Sequence, residues 1–233
     1  MFDTPATYWF TAAPSIAAFL AAFAEGGVPE LRRFCARVFR LRFPVWLWAA
    51  AVLLPLAAAL LTFASHPADL TRGGSPHVAR LLGVASLMSF LTGPIAEEFG
   101  WRGYLLGRLA ARYRPLAAGL IIAPVWAAWH VPLFYDSVFA DAKSTLLYLT
   151  WLTAWSVVLS LIVAKARGSV LPSVLGHWAV NSAPLVFFAL LPALPGEKQP
   201  GGVAFPLASA AVACAAAWFW RDVRWIDRRG ASP

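Results

Sequence analysis

Apolar residues run through this chain in long stretches, broken by short segments that carry most of its charge. Seven runs stand out: Ala6–Ala24, Val45–Ala64, Leu81–Ala96, Leu116–Tyr135, Ser144–Ala164, Val170–Leu191 and Val203–Trp220. Each is close to the roughly 17–25 residues a helix needs to cross a hydrocarbon layer. The pattern predicts an all-α, polytopic membrane helical bundle of about seven transmembrane helices, forming one membrane-embedded domain over residues 1–233 with a core motif region at 81–184. Pro14, Pro55, Pro94, Pro124, Pro132 and Pro184 lie inside the runs and predict kinks, which membrane helices tolerate when neighbours satisfy the freed backbone groups.

Composition agrees with the pattern. Of 233 residues, 60% are hydrophobic and 13% charged, against about 45–50% apolar in a soluble domain. A net charge of +8 invites a nucleic-acid reading, but the basic residues alternate with the runs. Arg32, Arg33, Arg37, Arg40 and Arg42 follow the first run, and Arg102, Arg108, Arg112 and Arg114 follow the third. Lys165 and Arg167 follow the fifth; Arg221, Arg224, Arg228 and Arg229 follow the seventh. Together these are 15 of the 19 Lys and Arg residues, a positive-inside signature. It predicts an integral protein of the bacterial inner membrane, N-terminus outside and C-terminus cytoplasmic, with membrane lipids rather than nucleic acid as its surroundings. Arg32–Arg42 also carries Leu31, Phe34, Val38, Phe39 and Leu41 in or beside it, so it reads either as an amphipathic helix on the inner leaflet or as a solvated loop. Cys35 and Cys214 fall in unlike segments and predict no disulfide. The N-terminus has Asp3 and no basic n-region, so no cleavable signal is expected.

The chemistry concentrates in Gly93–Tyr104, GPIAEEFGWRGY. An ionisable group at membrane depth is rare and by default functional. Arg102 follows Glu98 by four residues and shares its helical face. Glu97 points about 100° away and lacks that local cation. This assigns Glu98 a paired, structural role and leaves Glu97 to act on a water. His130 and His177 lie inside apolar runs and must be hydrogen-bonded, paired or liganded there. Asn181 follows His177 by four residues on one face. His66 and His77 flank the polar segment after the second run and read as surface residues. Interhelical hydrogen bonding is the plainer reading of any one such polar group. As a set on three runs they suit hydrolysis of a carbonyl bond: Glu97 as general base, His130 orienting the water, His177 and Asn181 donating to an oxyanion. The same groups suit a second reading, with zinc as cofactor held by Glu97, His130 and His177. No HExxH motif is present, so zinc ligands would come from separate helices.

These residues resemble the CAAX-prenyl-endopeptidase and bacteriocin-processing (CPBP, or Abi) family of intramembrane proteases. Its motifs EExxxR, FxxxH and HxxxN read here as Glu97-Glu98-Phe99-Gly100-Trp101-Arg102, Trp126-Ala127-Ala128-Trp129-His130 and His177-Trp178-Ala179-Val180-Asn181. The resemblance covers roughly Leu81–Pro184. It implies an intramembrane endopeptidase, often labelled a metalloprotease, acting on membrane-associated or lipid-modified peptides or proteins. It makes Glu97, His130, His177 and Asn181 the catalytic set, with Glu98 and Arg102 in structural support. Trp126 stands where the family has Phe, a change expected to alter packing and no chemistry. Family members commonly have about eight spans, so either a leading span precedes this sequence or this member is reduced. Two other readings are a catalytically silent scaffold or immunity protein and a small transporter. The first predicts loss of a motif residue, and all are present; the second favours an internal repeat of spans, and none is visible. Simple topology leaves a problem of depth: His130 lies some 20 Å along its helix from Leu116. To meet Glu97, that helix must start deeper or tilt, or the chain after Glu98 must stay within the membrane.

Overall fold

The computed structural model describes residues 5–65, 76–190 and 202–225. Among them every regular element is helical. Helix α1 (Pro5–Val38) is bent at Gly26 and Gly27; α2 is Trp46–Ser65 and α3 Pro76–Phe90. A π-helical turn, Leu91–Ile95, leads from α3 into a short α4 (Ala96–Glu98). A second π-helical stretch, Phe99–Leu105, leads into α5 (Leu106–Leu109). Helices α6 (Pro115–Phe134), α7 (Ala142–Lys165), α8 (Leu171–Leu190) and α9 (Ala204–Phe219) complete the bundle. Phe10–Val38, Trp46–Ser65, Pro115–Phe134 and Ala142–Lys165 are long and apolar enough to cross a membrane. Ala204–Phe219 is apolar but shorter. This is an integral membrane helical bundle. His66 and part of the polar segment around it lie outside the described residues, as do Arg228 and Arg229; the side chain of His77 does too.

Helix α7 is the axis of the larger core. Its residues from Trp155 to Ala164 are buried against α6, α8, α9 and α2. Lipid tails are as apolar as leucine, so helices in a bilayer gain by close packing of small residues rather than by leaving solvent. Helix α2 shows this: Ala51, Pro55, Ala58, Ala59 and Thr62 face inward, while Leu53, Leu56, Leu60 and Leu61 face outward. Helices α6 and α7 meet at Gly119, where an added Cβ would stand 3.0 Å from Val157 Cα. The Ser156 hydroxyl donates to the Gly119 carbonyl there at 2.8 Å. At the Arg-rich end the Lys165 ammonium lies 5.5 Å from the rings of both Trp46 and Trp220. Cys35 and Cys214 are free thiols.

Three differences from the sequence reading concern the site. First, the run taken as Leu81–Ala96 does not stop there. The chain stays helical over residues 76–109, so Glu97 is mid-rod and Arg102 is a fully buried rod residue, not part of a solvated basic loop. This resolves the depth problem: Glu97 lies twelve residues before Leu109, His130 fifteen after Pro115, and the two arms run antiparallel. Second, the first run ends in a sharp bend. Gly27 has φ 63°, a conformation that needs glycine, and Pro29 then starts a new helical segment. Third, that segment is not a loop: Phe34 and Val38 are buried against the rod at Gly103. Phe39 and Leu41 remain exposed.

Candidate active site

The rod is built to carry charge between helices. Pro94 has no N–H for the ladder, and a π turn absorbs the mismatch. The Ile95 carbonyl accepts from the Ser15 hydroxyl of α1 at 3.2 Å. One turn on, Gly100 lets α1 come so close that a Cβ would stand 2.5 Å from Pro14 backbone atoms. These contacts seal α1 over the two glutamates, of which Glu97 is 3% exposed and Glu98 fully buried.

Glu98 is held by charge. Its Oε1 accepts from Arg102 Nη1 at 2.8 Å and from His177 Nδ1 at 2.9 Å. The pairing across four residues is the one the spacing predicts. Glu97 is held differently. Its Oε2 accepts from the indole N–H of Trp126 at 2.6 Å and of Trp101 at 3.2 Å. Its Oε1 faces His130 Nε2 at 3.9 Å. His130 Nδ1 lies 2.8 Å from the Trp126 carbonyl oxygen. A carbonyl only accepts, so Nδ1 carries the proton and the Nε2 of a neutral ring presents a lone pair to Glu97. Phe134 stacks on the His130 ring and Tyr148 meets it edge-on.

Helix α8 supplies the remaining candidates. With Nδ1 of His177 turned to Glu98, its Nε2 points toward Gly93; an added Cβ at Gly93 would stand 3.6 Å from it and 2.8 Å from Asn181 Nδ2. The missing side chain leaves a small recess before two nitrogens. The register of α8 against α3 is held by Trp178 Nε1, which donates to the Ser86 carbonyl at 2.9 Å, and by the Ser86–Ser182 hydroxyl pair. Every predicted site residue thus falls in one cluster, with Glu97 and His130 on one side and Glu98, Arg102, His177 and Asn181 on the other.

Residues 79–183 match the family described as Type II CAAX prenyl endopeptidase Rce1-like. The resemblance to the CAAX prenyl endopeptidases holds for this segment. A curated relative, CAAX prenyl protease 2 of Methanococcus maripaludis, is 25% identical over 105 residues, covering 42% of this chain. The match spans only about two-fifths (39%) of the relative's own length. The Rce1-like segment contains the glutamates, His130, His177 and Asn181, and leaves α1, α2 and α9 outside it.

Two site residues escaped the sequence reading. Trp126 was expected to change packing only. Its indole N–H instead makes the short hydrogen bond to Glu97, its ring lies 4.0 Å under the Arg102 guanidinium, and its edge meets His177. Trp101 follows Glu97 by four residues, the spacing that pairs Glu98 with Arg102, so this contact was legible. Among the described residues no group of three His, Cys, Asp or Glu is placed to share a metal ion. Glu97, His130 and His177 are therefore not gathered into a zinc set as placed; their hydrogen bonds engage Glu97 Oε2, His130 Nδ1 and His177 Nδ1 and leave the opposite atom of each side chain facing the site.

Proposed function

We propose that the protein is an intramembrane endopeptidase that hydrolyses peptide bonds of membrane-associated or lipid-modified substrates with a glutamate-activated water. The observation that carries this reading is the facing pair, Glu97 Oε1 and His130 Nε2, 3.9 Å apart. That is too long for a direct hydrogen bond and short enough for one water to bridge. Both atoms accept, so the bridging water donates a proton to each and keeps a lone pair for a substrate carbonyl. Glu97 takes a water proton as the oxygen attacks the carbonyl carbon, and later passes it to the amine as the C–N bond breaks. The developing oxyanion sits in the recess at Gly93, facing His177 Nε2 and Asn181 Nδ2. Asn181 donates as it stands; with Nδ1–H on Glu98, His177 donates through Nε2 in its imidazolium form. Each such donor is worth about 10²–10³ in turnover. No step is routed through a metal.

The Arg-rich end of the bundle is assigned to the cytoplasm of the cell membrane, with the C-terminus there. The test is cleavage of a membrane-peptide library by the detergent-purified protein, wild type beside Glu97→Gln, with bound metal measured on the same samples. Cleavage that needs Glu97 and proceeds without stoichiometric metal is the expected result. Zinc bound by the wild type and lost in the variant overturns the metal-free mechanism. No cleavage by either protein overturns the protease reading and leaves a silent scaffold.

A further inference from the structure

A second built feature lies outside the candidate active site, at the Arg-rich end of the bundle. A cavity of about 1010 Å³ opens between the second half of α1, the rod, the turn after α5 and the segment after α9. Six arginines from these segments line it: Arg33, Arg37, Arg108, Arg112, Arg114 and Arg224. Among the described residues two carboxylates, Glu25 and Glu30, line it with them. Glu25 pairs with Arg108 and accepts from the Tyr104 hydroxyl; Glu30 pairs with Arg33. The lining therefore carries four positive charges in excess. The side chains of Arg112 and Arg224 are exposed and make no hydrogen bond or ion pair among the described residues.

The wall is shaped, not merely charged. The half-buried Arg37 lies across two glycines. A Cβ at Gly168, whose φ is 86°, would stand 2.9 Å from its Cγ, and a Cβ at Gly107 would stand 2.6 Å from its Nη1. The guanidinium is thus set against the rod, where a larger residue at either glycine would push it away. The cavity also borders an apolar groove: Arg114 and Pro115 line both, and Leu116, Leu120, Leu161 and Trp220 line the groove.

We propose that this cavity binds a phosphate-bearing anion, and that its source is the headgroup of an anionic phospholipid whose chains lie along the groove at Leu116 and Leu120. A phosphate diester suits guanidinium forks, which hydrogen-bond its oxygens in pairs. An excess of four charges at the membrane surface favours an anionic lipid over a zwitterionic one. The groove favours a lipid over a free phosphate. The site stands apart from the hydrolytic reading and does not depend on it.

The test titrates the full-length protein in neutral detergent with phosphatidylglycerol, phosphatidylcholine and inorganic phosphate, reading retained ligand by native mass spectrometry and melting temperature. Three proteins are compared: wild type, Arg112→Gln/Arg224→Gln, and Arg32→Gln/Arg40→Gln. The last removes two exposed arginines of the same end that do not line the cavity. Expected are phosphatidylglycerol binding by the wild type, a loss of about fivefold per cavity arginine removed, and a change under about twofold in the control pair. Equal weakening by both double variants, or equal binding of phosphatidylcholine, overturns the site, because either makes the attraction a general property of the surface. Inorganic phosphate that shifts melting as much as phosphatidylglycerol overturns the lipid as source.

Discussion

Glu97 and Glu98 are neighbours in the chain, equally deep in the bundle, and surrounded by opposite chemistry. Around Glu98 the partners are a cation and a ring N–H: the Arg102 guanidinium at 2.8 Å and the His177 imidazole at 2.9 Å on one oxygen. Around Glu97 the donors are two neutral indoles on one oxygen, and the other oxygen faces a histidine across 3.9 Å. An ion pair spends a carboxylate's charge on structure. Neutral donors orient the carboxylate and leave its second oxygen basic toward whatever enters the gap. One helical step of about 100° therefore separates a structural acid from a candidate reactive one.

The comparison breaks most clearly at Glu97. Glu97→Gln keeps an oxygen for the two indoles and removes the base, so cleavage falls by about 10²–10⁴-fold. The melting temperature in detergent stays near wild type. A Gln variant with undiminished cleavage would move the base elsewhere.

Next in size is the structural arm. Glu98→Gln leaves Arg102 buried without a counter-charge, which costs about 3–5 kcal/mol. The expected sign is a large drop in melting temperature and in folded yield. Adding Arg102→Met removes the stranded charge and recovers much of the loss. Non-additivity in that cycle measures the pairing; simple additivity would show that Arg102 is balanced by something other than Glu98.

Trp126→Phe sharpens the other arm, since it installs the residue typical of the resembled family while deleting the donor to Glu97. Hydrogen bonds to charged groups contribute about 1.5–3 kcal/mol, and Trp101 still donates. The expected outcome is a kcat about tenfold lower with KM little changed, read in steady-state cleavage. A KM effect alone would assign Trp126 to substrate packing instead.

The smallest expected effect is at the recess. Gly93→Ala puts a methyl 2.8 Å from Asn181 Nδ2, and Asn181, on a partly exposed stretch of α8, can turn away. Turnover should fall a few-fold, within the loss of one oxyanion donor, with melting almost unchanged. Full activity in this variant would place the oxyanion outside the recess.

Much of this was legible in the chain because it is local. The apolar runs follow from the cost of unpaired backbone in lipid, so most helices begin and end within a few residues of the predicted bounds. The Glu98–Arg102 pair follows from a four-residue spacing, and Trp101 against Glu97 follows from the same rule. The end of the third run was misread because Arg102 looks like a loop charge by hydropathy alone. Its burial depends on Glu98 and on Trp126, which arrives from another helix.

By itself, then, the sequence determined what obeys short-range periodicity: an all-helical membrane chain, the spacing of its charges, and which polar groups must find partners. Only the tertiary structure decided which partners they found. Trp126 reaches Glu97 from twenty-nine residues away, His177 reaches Glu98 from seventy-nine, and Gly93 makes room for Asn181 because α8 packs there. Such choices depend on helix crossings, set by the fit of small residues across interfaces such as Gly100 on Pro14. Many sequences share that periodicity; fewer share the fit.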